Sequence, residues 1–205
     1  MSGALFVAEN LACVRGGRRL FAGLAFELGP GDALILRGPN GSGKSSLLRL
    51  LAGFLAPVAG QLLWDGTPLT NDWPAHRNRL HYVGHADAVK TILTVRENLS
   101  FAAAIAGGAA DAIDRALEAF DLLRLAAVPA RHLSAGQKRR LALARLLATE
   151  RALWLLDEPG VGLDAANRVH LERAVAGHRA AGGIAVIATH GDIDVADAQL
   201  LELGG

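Results

Sequence analysis

Ala33-Leu34-Ile35-Leu36-Arg37-Gly38-Pro39-Asn40-Gly41-Ser42-Gly43-Lys44-Ser45-Ser46 is the stretch that decides the fold. Four apolar residues enter a turn with three glycines, and from Ser45 to Leu55 apolar residues return at helical spacing. Strand, loop and helix in that order are the setting in which a G-x-x-x-x-G-K-[ST] loop cradles phosphate. Gly38, Gly41 and Gly43 let the backbone curl so that successive N–H groups point inward at an anion. The helix behind adds its positive end. Within the loop Gly38, Pro39, Asn40, Gly41, Ser42, Gly43, Lys44 and Ser45, the ammonium of Lys44 can reach β- and γ-phosphates and the Ser45 hydroxyl can ligate Mg²⁺.

Well downstream, Leu153-Trp154-Leu155-Leu156 ends in Asp157-Glu158-Pro159. A buried strand ending in Asp puts its carboxylate at the carboxyl edge of a parallel sheet, where ligands bind. Asp157 is the expected Mg²⁺ partner, and Glu158 the carboxylate expected to polarise an attacking water. Between the two motifs stands Leu133-Ser134-Ala135-Gly136-Gln137. Ser134 reads as the N-cap of a helix whose first N–H groups face an anion.

The 205 residues suffice for one large domain with a substantial core. Lys plus Arg number 21 against 20 Asp plus Glu, a balance that argues against a nucleic-acid partner. Cys13 stands alone, so no internal disulfide is possible, and a buried thiol is expected there. The start, Met1-Ser2-Gly3-Ala4-Leu5-Phe6-Val7-Ala8-Glu9, lacks the basic front of a secretory leader. The longest uncharged apolar stretch, Leu50 to Gly60, falls short of the roughly 18 residues that span a bilayer and holds Gly53, Pro57 and Gly60. Any membrane component is therefore expected to come from another subunit.

Leu5 to Leu36 alternates apolar and polar residues between glycine-rich breaks, predicting a small antiparallel sheet of hairpins. Leu62 to Trp64, Leu80 to Val83 and Ile184 to Thr189 read as further strands. Thr94 to Leu133 turns helical, with Gly107-Gly108 as a break, and predicts a helical subdomain of about residues 86–135 inserted in the core. A helix is expected from Ser134 to about Thr149, and another from Asp164 to Ala181. Lys138, Arg139, Arg140 and Arg145 are expected on a solvated or dimer-facing helix face, a nucleic-acid patch being the weaker alternative.

The phosphate loop, Leu133 to Gln137 and Asp157-Glu158, in that order, resemble the ATP-binding cassette family. The resemblance implies an α/β phosphate-loop NTPase fold over residues 1–205, with an antiparallel β subdomain and the inserted helices. It implies ATP and Mg²⁺ as ligands, a homodimer closed by ATP, and Ser46 on the α-phosphate. Ser134, Gly136 and Gln137 would cover the γ-phosphate held by the opposite copy, with Ala135 where the family usually has Gly. Asp164 would end a loop touching that copy, and His190 would sense the γ-phosphate. Two positions depart from the pattern. His85 stands where the family has a glutamine beside Mg²⁺ and water, and Arg15 where an aromatic stacks on adenine, a role open to a guanidinium.

Leu80-His81-Tyr82-Val83-Gly84-His85, Val89-Lys90-Thr91, Thr94 to Leu99 and Leu133 to Arg140 are similar to the cassettes of bacterial haem exporters of cytochrome c maturation. That likeness implies a peripheral ATPase subunit on the cytoplasmic face of the inner membrane, bound to integral membrane subunits that handle the haem. His76, His81, His85, His132, His170 and His178 form no paired-ligand pattern for haem on this chain. Lipid or peptide export is the alternative cargo. A DNA-associated ATPase of the superfamily fits less well, because only about 90 residues separate the phosphate loop from Leu133 to Gln137.

Overall fold

The computed structural model describes residues 5–108 and 110–204; residues 1–4, read above for a leader, lie outside them. Strands β1 (Phe6–Arg15) and β2 (Arg18–Leu28) form an antiparallel hairpin, and β3 (Ala33–Arg37) leads into the phosphate loop and α1 (Lys44–Leu51). α1 stops short of the sequence expectation: Gly53 turns left-handed at φ +72°, and a Cβ there would meet the ring of Trp73 at 2.5 Å. β4 (Ala59–Trp64) and β5 (Thr67–Pro68) complete a four-stranded antiparallel sheet in the order β2-β1-β4-β5. Helix α2 (Trp73–Asn78) is capped by Asp72, whose carboxylate accepts from the Ala75 N–H at 2.9 Å.

After β6 (Leu80–Val83) come α3 (Val95–Ala106) and α4 (Ala110–Ala119). Thr94 and Glu97 close a capping box at the start of α3, and Gly107 ends it left-handed. Then follow α5 (Ala135–Ala148), β7 (Leu153–Asp157), α6 (Ala165–Ala180), β8 (Ile184–Ala188) and β9 (Gln199–Glu202). The second sheet is parallel throughout, in the order β6-β7-β8-β3-β9.

The central strands of this sheet are buried on both faces, and alternation divides them between two cores. Leu34, Leu36, Leu153, Leu155, Ile184 and Val186 pack with α1 and the antiparallel sheet. Ala33, Ile35, Trp154, Leu156, Ala185 and Ile187 pack with α3, α4, α5 and α6. Cys13 is buried in the first of these cores. α5 is buried nearly all round, as a helix wedged between sheet and helices must be.

Two differences from the sequence reading follow from this layering. β3 leaves the antiparallel sheet to which the alternation of Leu5 to Leu36 assigned it, because an unbroken apolar run with both faces covered belongs among parallel strands. β9 escaped the sequence reading because it is a mostly exposed edge strand with no apolar stripe. Among the described residues, no helix is long and apolar enough to cross a membrane.

Candidate nucleotide-binding site

The phosphate loop joins the carboxyl end of β3 to α1. Gly38 has φ +146°, and a Cβ on it would overlap the Leu203 carbonyl oxygen. Gly43 has φ +108°, and a Cβ there would meet Leu20 Cβ at 3.2 Å and Phe21 Cδ1 at 3.3 Å. The Lys44 ammonium is only 6% exposed and donates to the Gly38 carbonyl at 2.7 Å and the Pro39 carbonyl at 3.3 Å. None of the ion pairs among the described residues includes it. A buried cation held by two carbonyl dipoles is well placed for an anion. Ser42 Oγ, in the same loop, is a buried polar atom with no partner among the described residues. The cavity in front of the loop has a volume of about 450 Å³ and is lined by Arg15, Leu20, Asn40 to Ser46 and Glu158.

The acidic wall comes from β7. Asp157 is buried, and Ser45 Oγ donates to its Oδ1 at 3.0 Å. A hydroxyl and a carboxylate are the hard oxygen donors Mg²⁺ takes, and this pair fits that ion. Among the described residues there is no cluster of three or more His, Cys, Asp or Glu, so such an ion would draw its other ligands from phosphate and water. Glu158 sits at φ +49°, a left-handed conformation uncommon for a residue with a side chain. Its N–H donates to the Ala188 carbonyl at 2.9 Å, and its Oε1 lies 3.2 Å from His190 Nε2. β7 and β8 thus bring Glu158 and His190 together from 32 positions apart.

Ser134, Gly136 and Gln137 open α5. Ser134 Oγ accepts from the Gln137 N–H at 3.2 Å, and Gln137 Oε1 accepts from the Ser134 N–H at 2.8 Å. A Cβ on Gly136 would sit 3.3 Å from the Gly162 carbonyl oxygen, so this turn packs on the loop after β7. Asp164 caps α6, and the N–H of Asn167, with its side-chain amide, holds the Asp164 carboxyl below the usual carboxylate range. None of these four residues lines the phosphate-loop cavity of its own chain. His85 is exposed and lines a different groove of about 800 Å³ between β6 and the helices, together with Phe54, Tyr82, Phe101 and Ile105.

The basic run on α5 departs from its reading as a solvated or dimer-facing face. Arg139 is 5% exposed, and its guanidinium donates to the Pro159, Asp157, Glu158 and Gly84 carbonyls and to Asp87. Arg140 donates to the Phe120 and Asp121 carbonyls, and Arg145 to those of Asp87 and Ala88. The available signal was spacing: Leu143 and Leu146 follow Arg139 by four and seven positions, on the same buried helix face.

A parallel sheet whose strand ends carry a glycine-rich phosphate loop, a facing carboxylate pair and a histidine defines a phosphate-loop nucleotide-binding domain. The chain belongs to the ATP-binding cassette transporter family: the family described as ABC transporter matches residues 21–161. It is 56% identical to the cytochrome c biogenesis ATP-binding export protein CcmA of Rhodospirillum rubrum, over 98% of this chain and 86% of that one. It is 57% identical to the protein of the same name from Paramagnetospirillum magneticum, over 99% of this chain and 95% of that one. The fold is that of an ABC transporter ATP-binding protein of Pyrococcus furiosus, at TM-score 0.85 and 22% identity over 97% of both chains. The domain is accordingly an ATP-binding one, with the α/β architecture that the motifs implied.

Proposed function

We propose that this chain is the ATP-hydrolysing subunit of a bacterial export complex that serves c-type cytochrome biogenesis, its ATP use promoting release of haem bound to its chaperone. The observation that carries the cytochrome assignment is the likeness, above half identity and over nearly the full length of both chains, to two export proteins named for that process. The hydrolytic assignment draws on the meeting of Ser45 with Asp157 and of Glu158 with His190 at the mouth of the phosphate loop.

Gly38 to Ser46 wrap the phosphates with backbone N–H groups, Lys44 neutralises the β- and γ-phosphates, and Arg15 stacks its guanidinium on the base. Ser45 and Asp157 would hold Mg²⁺, which would supply charge neutralisation on the phosphate oxygens. Glu158 accepts a hydrogen bond from the attacking water and sets it in line with the γ-phosphorus, while His190 touches the γ-phosphate and steadies the carboxylate. Ser134, Gly136, Gln137 and Asp164 act on the ATP of a second copy, in keeping with their lying off the cavity of their own chain. Closure of two copies then completes each site.

The groove bearing His85 is the surface for the integral membrane subunits. Its rim exposes Phe54, Phe101 and Ile105, and it lies along the helical subdomain of about residues 86–135. His85 there reports partner engagement toward the site. The chain works as a peripheral subunit on the cytoplasmic face of the inner membrane, and the membrane subunits handle the haem. Nucleic acid has no role, in line with the balanced charge.

Covalent haem staining of periplasmic c-type cytochromes, in the bacterium with this gene deleted and restored, tests the assignment. Loss of stain, rescued by the parent gene but not by Glu158→Gln, is expected. Normal cytochromes in the deletion strain would overturn the haem assignment and direct attention to lipid or peptide cargo, while leaving the ATPase chemistry to the assays below.

A further inference from the structure

We infer that Arg139 is a positioning residue for hydrolysis: it holds the main chain of Glu158 so that the carboxylate faces the attacking water. The inference rests on the assignment of Glu158 to that water.

Glu158 is held in the left-handed region at φ +49°, which a residue with a side chain keeps only when its surroundings enforce it. Both of its backbone polar groups are pinned. The N–H donates to the Ala188 carbonyl on β8 at 2.9 Å, and the carbonyl accepts from an Arg139 terminal nitrogen at 2.7 Å. The same nitrogen reaches the Asp157 carbonyl at 3.3 Å, and Nε reaches that of Pro159 at 3.2 Å. Three successive carbonyls of the catalytic turn therefore converge on one guanidinium. A guanidinium has five N–H donors in a planar fork, enough for these three carbonyls and two further acceptors, whereas an ammonium has three in all.

The other face of the fork fixes Arg139 in turn. Its second terminal nitrogen donates to the Gly84 carbonyl at 3.0 Å and to Asp87 Oδ1 at 3.1 Å. With 5% exposure, the charge is matched by five hydrogen bonds, one of them the ion pair with Asp87. Gly84 and Asp87 flank His85, and Arg145 and Asn98 bind the residues that follow, at Asp87, Ala88 and Lys90. The segment on the groove, the helix that begins at Ser134 and the turn carrying Glu158 thus share one side chain. Displacement of any of them alters the backbone angle that aims Glu158 at His190 and water.

The test is single-turnover hydrolysis by the full-length chain, with ATP affinity measured separately by titration of a fluorescent ATP analogue. Arg139→Gln is expected to slow hydrolysis tenfold or more while ATP affinity stays within about twofold of the parent. Arg139→Lys restores the charge without the fork and is expected to recover only part of the rate. Asp87→Asn, at a half-buried site, is expected to cause a smaller loss of the same kind, and it decides the matter should Arg139→Gln fail to fold. An unchanged rate in either variant, or a rate loss that only tracks lost ATP affinity, would overturn the inference. Glu158→Gln runs alongside: a normal rate there overturns the role of Glu158, whereas a slow Glu158→Gln beside a normal Arg139→Gln overturns the positioning role alone.

Discussion

Ser45 and Asp157, 112 positions apart, are joined by a hydrogen bond of 3.0 Å from hydroxyl to carboxylate. One opens the helix behind the phosphate loop and the other ends a buried strand, so their meeting is made by the parallel sheet. Asp157→Asn keeps the shape and removes the charge. It is expected to raise the Mg²⁺ concentration for half-maximal ATPase activity at least about tenfold, the equivalent of one charge-assisted contact. A Mg²⁺ titration of the variant checks this, and an unchanged midpoint removes Asp157 from the ion's surroundings.

Lys44 is a buried cation whose present partners are two carbonyls. Replacing it with Ala removes charge-assisted contacts of about 1.5–3 kcal/mol each, so ATP affinity is expected to fall about 100-fold or more. Titration with a fluorescent ATP analogue measures it. Affinity equal to the parent would contradict the phosphate role.

Gly38 and Gly41 both have positive φ, yet only Gly38 is crowded. Its Cβ would overlap the Leu203 carbonyl oxygen, while a Cβ on Gly41 meets nothing within 4 Å. Gly38→Ala is expected to cost more than about 2 kcal/mol and to lower the melting temperature by about 5 °C or more. Gly41→Ala is expected to cost about 1 kcal/mol, the conformational penalty alone. Thermal melts of the two variants that coincide would show that packing against Leu203 contributes nothing.

Three imidazoles, His76 buried and His81 and His178 half-buried, make stability depend on acid. Burial pushes His81 down to about 4, against a hydrogen bond to the Thr149 carbonyl that partly offsets it. Burial also lowers His76 and His178, the latter stacked on Trp154 with ring centroids 4.0 Å apart. The folded chain keeps these rings neutral, whereas the unfolded chain takes up protons below its ordinary value of about 6.5. Stability is therefore complete above that pH and is lost as the pH falls toward 4, with His81 contributing up to about 2 kcal/mol of the loss at pH 5. Urea unfolding at about pH 7.5 and pH 5 measures the slope, and His81→Gln is expected to flatten it. The same slope in that variant would clear His81 of the effect.

The phosphate loop, the cap at Ser134, the helix start at Asp164 and the strand ending in Asp157 could be read from residue order, because each depends on neighbours within a few positions. Gly38 and Gly43 turn where few other residues can, Ser134 and Asp164 satisfy N–H groups three residues on, and Leu153 to Leu156 is apolar throughout. The fold class followed from those local signals in an order that resembles the ATP-binding cassette family, whereas the division of Leu34 and Leu36 from Ala33 and Ile35 between two cores came only with the structure. The bond between Ser45 and Asp157, the burial of Arg139 in a run that looked solvated, the sheet to which β3 belongs and the edge strand β9 required the assembled molecule. Contacts across many tens of residues depend on which faces the sheet brings together. A charged side chain goes inside only where distant carbonyls and a carboxylate, here those of Gly84, Asp87, Asp157, Glu158 and Pro159, already converge.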